Sequence, residues 1–322
     1  MGNDLVDGVR RTARSVAERL RELADSGDLE LPDPGAGRTA DRWRALTELG
    51  RTDLALARLA EGHTDATSIL RQAGVAPEPQ ALYGVWAARS GGTGAVLRDG
   101  RLSGTVRFCS GAHSLDRALV VALSVEGESS MYDVPLDQAG IVRVADTWQA
   151  VGMDASDSPD VIFENVAVGP RIGGPGFYTS RPGFWWGGGG VAAVWYGGSL
   201  GLVDRTTDYL RAGKGVDDHQ LAHLGELRTS LAATEGLLRQ TAAAIDADPK
   251  ADVMTEVWLL RASAEQTARA VADRVPRIVG PTPLSRDRGF AQLFADLQVY
   301  VRQHHAERDY AALGLRFLEA TA

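Results

Sequence analysis

The chain has 322 residues, 44% hydrophobic and 24% charged, and its 34 basic and 42 acidic residues leave a formal net charge of −8. That length suffices for a large core and two or three structural units, while the acidic balance, with no stripe of basic residues, excludes a broad nucleic-acid footprint. The single cysteine, Cys109, excludes an internal disulfide and a multi-cysteine metal site; no apolar run reaches membrane-spanning length and no signal-peptide core opens the chain, so a cytoplasmic protein is expected.

Apolar residues at Leu5, Val9, Ala13, Val16, Leu20 and Leu23 follow helical spacing and predict an amphipathic helix over residues 4 to 25, stopped by Ser26-Gly27. A Pro/Gly-rich connector then leads through a Thr39 cap to a helix carrying Trp43, Leu46 and Leu49. Further helix follows, capped at Thr52 or Asp53. Packing is the simplest role for Trp43 and His63. Residues 1–80 therefore read as a small helical domain. After Pro77 the pattern changes to short alternating runs separated by Gly, Asp, Ser or Pro. Residues 81–178 accordingly predict a central β-domain, an antiparallel barrel or sandwich. From residue 179 to 322 four long amphipathic segments, ended by Gly or Pro, predict a C-terminal four-helix bundle. The fold class is α+β.

One stretch organises the β-domain: RLSGTVRFCSGAHSLDRALVVA, residues 101 to 122. Alternation breaks at Ser110-Gly111-Ala112 and resumes as a buried run. Two strands joined by a small-residue bend let backbone groups lie close to a planar ligand. Phe108 offers a flat apolar wall and Ser110 a hydroxyl. Read from the residues alone, Phe108 is equally a core side chain and Ser110-Gly111 equally a β-bulge.

The order of helices, β-domain and helix bundle, together with particular words, resembles the acyl-CoA dehydrogenase flavoprotein family. The stretch around Phe108 and Ser110 is similar to that family's strand with a flavin-stacking aromatic and a hydroxyl two residues later. DTWQAVGMDASDSPDVIFENVAV, HQLAHLGELRTSL and LSRDRGFAQLFADLQVY resemble three further family stretches. The resemblance spans about residues 40 to 315. It implies FAD, with Trp86, Ala87, Phe108 and Ser110 against the isoalloxazine, Arg211 nearest a pyrophosphate, and Gly280 among the cofactor contacts. It also implies a homodimer or homotetramer, since bundles of the family pack together to complete the FAD pocket.

The departures are as informative. Counting from Arg286-Asp287, the family's catalytic glutamate falls on Ala295, and an alternative base position on the first bundle helix falls near Val191. Asp296, beside the expected site, is the candidate catalytic base, since a carboxyl in a partly apolar cavity is tuned upward. The N-terminal helical domain is short, which makes a CoA-thioester doubtful. His304-His305 cannot both reach one ion from adjacent helical positions, and no metal site is assigned. Glycines at 187–190, 197, 198 and 201 cost helix stability unless a flat ligand or another helix approaches closely.

The sequence thus predicts an FAD-dependent oxidoreductase that moves hydride from a bound small-molecule carbon to flavin, as a dehydrogenase acting on CH-CH groups. Two alternatives stand beside it. One is a flavin-dependent monooxygenase of the same fold, which needs no α-proton base. The other is a non-catalytic subunit or binding protein that keeps the fold. The electron acceptor is unassigned.

Overall fold

The computed structural model describes residues 12–213 and 215–319. Of the first expected helix, residues 4–11 lie outside the described residues. The described helix, α1 (Ala13–Asp25), opens at Thr12, whose hydroxyl accepts the Ser15 N–H while the Ser15 hydroxyl accepts the Thr12 N–H. Helices α2 (Thr39–Thr52) and α3 (Leu54–Gln72) follow, joined by Asp53 alone. The Asp53 carboxylate accepts the N–H groups of Ala55 and Leu56 at 2.9 and 3.0 Å, so one residue ends α2 and caps α3.

Eight strands make one sheet: β1 (Tyr83–Trp86), β2 (Gly94–Arg98), β3 (Arg101–Val106), β4 (Arg117–Leu123), β5 (Ser129–Pro135), β6 (Ile141–Arg143), β7 (Val161–Ala167) and β8 (Arg171–Ile172). Their order is β6-β7-β3-β2-β4-β5-β8, with β1 also on β4. The expected antiparallel pairing holds except at β4. There β1 and β2 lie in succession along one edge and both run parallel to β4, Tyr83–Trp86 facing Arg117–Val120 and Ala95-Val96 facing Ala122-Leu123. The chain between them, residues 87 to 93, loops out of the sheet. Strand β4 reads as a continuous apolar run because both its faces are covered. Ala118, Val120 and Ala122 join one core cluster with Leu56, Leu59 and Ala60 of α3, and Leu119 and Val121 join another with Ile69 and Leu70.

Among the described residues, seven α-helices follow: α4 (Phe177–Ser180), α5 (Gly183–Ala212), α6 (Asp218–Ala247), α7 (Met254–Val279), α8 (Pro281–Arg286), α9 (Arg288–Tyr300) and α10 (Glu307–Glu319). Helix α5 is central, and its glycines admit a helix. A Cβ on Gly197 would lie 2.2 Å from the Thr47 carbonyl oxygen, and one on Gly201 2.2 Å from that of Arg51. The backbones of α2 and α5 therefore touch. The fourth expected segment is not one helix: it breaks between α9 and α10, where Ala306 takes a left-handed φ of 43°. The His304 ring accepts the Ala306 N–H through Nδ1, and the Asp309 carboxylate accepts the His305 N–H. His304 and His305 thus flank a break instead of sharing a helix face.

Helix α9 docks on the β-domain through Asp296. Met153, at φ 61°, donates its N–H to Asp296 Oδ1 at 2.5 Å, and Gln292 Nε2 donates to the same oxygen at 2.9 Å. Glycine is required at 152, because a Cβ there would stand 2.1 Å from the Ala295 carbonyl oxygen.

Two stability tests follow from this packing. Gly197→Val is expected to lower unfolding free energy by about 1–3 kcal/mol through overpacking against α2. By contrast Gly236→Ala, on α6 with nothing within 4 Å of its Cβ, should be neutral or stabilising by up to about 1 kcal/mol. Asp296→Ala, which strands the buried Met153 amide, should cost about 1–3 kcal/mol, and Asp296→Asn, which keeps an acceptor, should cost less. Urea unfolding of the four variants measures both.

Candidate functional site

Strand β3 ends at Val106, and the chain turns immediately. Phe108 sits at a left-handed φ of 59°, an unusual conformation for a non-glycine residue. Its ring is 47% exposed, with the Arg107 guanidinium over it at 5.0 Å. The next residue, Cys109, is buried, and burial pushes its thiol pKa upward. Ser110 begins a column of hydroxyls: Ser158 Oγ donates to Ser110 Oγ at 2.9 Å, Ser156 and Ser158 hydroxyls meet at 2.9 Å, and Ser156 Oγ donates to the Met153 carbonyl at 2.8 Å. Backbone bonds from Cys109 to Pro159 and from Gly111 to Ser156 lock the two turns together. Asp157 braces them from outside, accepting the His113 N–H at 2.8 Å and meeting His113 Nδ1 at 2.9 Å.

Strand β1 has this turn on one face and a cavity on the other. Trp86 is buried, packs on Phe163 and donates its indole N–H to the Ser110 carbonyl at 3.2 Å, so it supports the turn from the core and presents no open wall. Its neighbour Val85 lines a cavity of about 420 Å³ bordered by α3, α4, α5, α7 and the α9–α10 break and open to solvent on one side. Ala87 is half-buried at the end of β1 and packs with Val85 on the same core cluster. An aromatic wall follows edge to edge: Tyr178 to Phe184 at 5.4 Å, Phe184 to Trp185 at 5.1 Å, and Trp185 to Trp258 at 5.7 Å.

Opposite the aromatics, α3 presents Arg58, Glu61 and Asp65, residues one and two turns apart on one face. Arg58 Nη1 donates to Glu61 Oε2 at 2.7 Å. Burial pushes the Glu61 carboxyl up to about 7; Arg58 offsets only part of that, and Asp65 adds to it. Burial likewise raises the phenol pKa values of Tyr178 and Tyr300, which stay protonated. Within the cavity, then, burial holds one carboxyl's proton more tightly than in an exposed glutamate.

The other expected site residues are placed elsewhere. Arg211 lies in the last turn of α5 on Asp208 at 3.1 Å, with three quarters of its side chain exposed. It stands 20 residues beyond Val191 of the cavity, roughly 30 Å along the helix at 1.5 Å per residue. Gly280, at φ 65°, links α7 to α8. Gln220, the third residue of α6, donates to the Ile278 carbonyl, so the ends of α5 and α7 share one end of the bundle, and the cavity the other. Asp296 is fully buried in its contacts with Met153 and Gln292 and is not among the residues lining the cavity. Arg58, Glu61 and Arg181 were not anticipated as site residues. The signal for Arg58 and Glu61 was charge at 58, 61 and 65 within the Leu- and Ala-rich first part of α3; Arg181 carried none.

Residues 174–301 match the family described as acyl-CoA dehydrogenase, C-terminal domain. A dibenzothiophene monooxygenase from Mycolicibacterium goodii is 24% identical over 66% of this chain, and the match spans 60% of that relative's length. Among solved structures, FMN-bound TdsC from Paenibacillus sp. A11-2 superposes with a TM-score of 0.80 at 20% identity, covering 96% of each chain. The methanesulfinate monooxygenase MsuC from Pseudomonas fluorescens gives 0.76 at 19% identity and 94% of each chain. No helix among the described residues is long and apolar enough to cross a membrane. The family thus matches the bundle over residues 174–301, and the order of helical opening, central sheet and bundle is the fold that this chain shares with these solved structures.

Proposed function

We propose that the protein is a flavin-dependent monooxygenase acting on a small molecule held in the 420 Å³ cavity. One observation carries this reading. Both positions where a dehydrogenase of this fold keeps its α-proton base are apolar, Val191 on the cavity wall and Ala295 against the Gly152 turn. A reaction that activates oxygen does not need that base, and the similarity to monooxygenases of sulfur compounds points the same way. The dehydrogenase reading keeps one support, since Glu61 is a carboxyl in the same cavity with a pKa near 7.

The serine turn fits a flavin. Phe108 offers an exposed ring face, and the Ser110, Ser158 and Ser156 hydroxyls offer donors and acceptors for a polar edge. The flavin supplies the redox and oxygen chemistry. FMN is proposed over FAD, because FMN is bound in the related TdsC structure and Arg211 is far along α5 from the cavity. Glu61 then holds or accepts a proton at the substrate, and the edge-to-edge aromatic wall orients a planar molecule and excludes water.

The deciding experiment supplies reduced flavin enzymatically and follows oxygen uptake with indole, which is bound in a related TdsC structure, against anaerobic bleaching of the oxidised flavin by acyl-CoA thioesters. Substrate-stimulated oxygen uptake with an oxygenated product is expected; bleaching by a thioester would overturn the reading in favour of dehydrogenation. Ser110→Ala should raise the flavin Kd by about 2- to 10-fold, the loss of one hydrogen bond, by fluorescence titration. Glu61→Gln should lower kcat/KM by about 10²–10⁴ and remove an inflection near pH 7 from the pH profile.

A further inference from the structure

Two guanidinium groups in the cavity have buried donors without acceptors. Arg181 is 6% exposed; its Nη1 donates to Gln72 Oε1 at 3.0 Å, its Nη2 stands 3.8 Å from Asp65, and its Nε is buried with no partner. Arg58 uses Nη1 on Glu61, and its Nε is likewise buried and unpartnered. Both side chains also line the cavity, and Arg181 Nη2 has only the distant Asp65 carboxylate before it; unmet donors on a buried guanidinium cost at least about 1–3 kcal/mol, so the pair suits an acceptor that enters the cavity. The third buried guanidinium, Arg261, is already engaged, donating to the Gly188 carbonyl at 3.0 Å and lying over the Trp195 ring at 4.6 Å.

The surroundings define what that acceptor is attached to. The Arg181 guanidinium lies over the Tyr178 ring at 5.6 Å, and Tyr178 is the first member of the edge-to-edge wall running to Trp258. A ring placed on this wall brings a short substituent to the guanidinium groups. A planar oxyanion such as a carboxylate matches their fork geometry. We propose that the cavity is built for a one- or two-ring aromatic carboxylate, with its carboxylate on Arg58 and Arg181 and its ring against Tyr178, Phe184 and Trp185. This deepens the monooxygenase reading by naming its substrate class, and rests on that reading for the site's use, though not for the binding itself.

Protonation of Glu61 controls the charge that the anion meets. Facing Glu61 are Arg58 and Asp65 on its own helix, Arg42 of α2 and Arg261 of α7, with Arg181 between α4 and α5 and His305, Arg308 and Asp309 at the α9–α10 break lining the same cavity. Tyr178 and Tyr300 stand within the same field and stay neutral. As pH falls through about 7, Glu61 takes up its proton, one negative charge leaves the cavity, and the arginines are freed for the ligand. Anion binding therefore tightens with acidification and draws in a proton.

The test is calorimetric titration of the full chain, with and without added FMN, using benzoate against benzamide and indole-3-carboxylate against indole. Each acid is expected to bind at least about tenfold more tightly than its neutral counterpart, with uptake of a proton near pH 7 seen as a buffer-dependent heat. Arg181→Gln should erase that preference by weakening the acids far more than benzamide, and Arg181→Lys should retain part of it. Equal affinity for benzoate and benzamide in the unaltered protein overturns the proposal whether or not the variants fold. Competition between benzoate and FMN overturns it too, because the guanidinium groups would then serve the flavin phosphate. A protein that binds benzoate yet shows no flavin-dependent oxygen uptake refutes the monooxygenase reading and leaves the binding inference standing.

Discussion

The backbone contact between α2 and α5 sets where everything else can be. It exists because Gly197 and Gly201 present no Cβ to the Thr47 and Arg51 carbonyls, and nearby Gly189 leaves room for the Trp43 ring. Helix α3 starts one residue after α2 ends, so fixing α2 on the bundle also fixes α3. That helix then has two jobs. Leu56, Leu59 and Ala60 pack on the sheet beside the serine turn, while Arg58, Glu61 and Asp65 face the cavity. A substitution that pushes α2 away from α5 would shift the charged face of α3 relative to the aromatic wall on α4 and α5. The glycines of α5 thus trade helix propensity, roughly 1 kcal/mol per residue, for the position of the cavity.

Much of the fold was legible because its signals are local. Helical periodicity and the Asp53 cap mark elements through contacts within a few residues. The break between α9 and α10 was not legible, because RQHHAERD contains no Gly or Pro to mark it; the interruption depends on His304 and Asp309 accepting backbone N–H groups. The parallel pairing of β1 and β2 with β4 is a matter of tertiary arrangement. No alternation of side chains records which edge of β4 a strand returns to.

The site was half legible for the same reason. Phe108 and Ser110 stand out because an aromatic, a hydroxyl and a glycine follow one another in a single turn, and the structure adds the Ser156 and Ser158 hydroxyls to that turn. The cavity is assembled from α3, α4, α5 and α7, whose members lie as far apart in sequence as Arg58 and Arg261. Asp296 drew attention by its register beside Ala295. Its carboxylate instead accepts the Met153 N–H, which holds the far end of the hydroxyl column in place. The position is occupied by a brace.

Cys109 has a consequence of a different kind. Under the oxygen-activating reading, uncoupled turnover releases hydrogen peroxide within reach of the turn that carries the chain's single thiol. Peroxide oxidises thiolates far faster than thiols. Burial raises the Cys109 pKa, and the Sγ lies 3.3 Å from the Val106 carbonyl with no exposed surface. The sulfur one residue from Ser110 is therefore kept in its unreactive form, and the turn can sit beside a source of oxidant without being consumed by it.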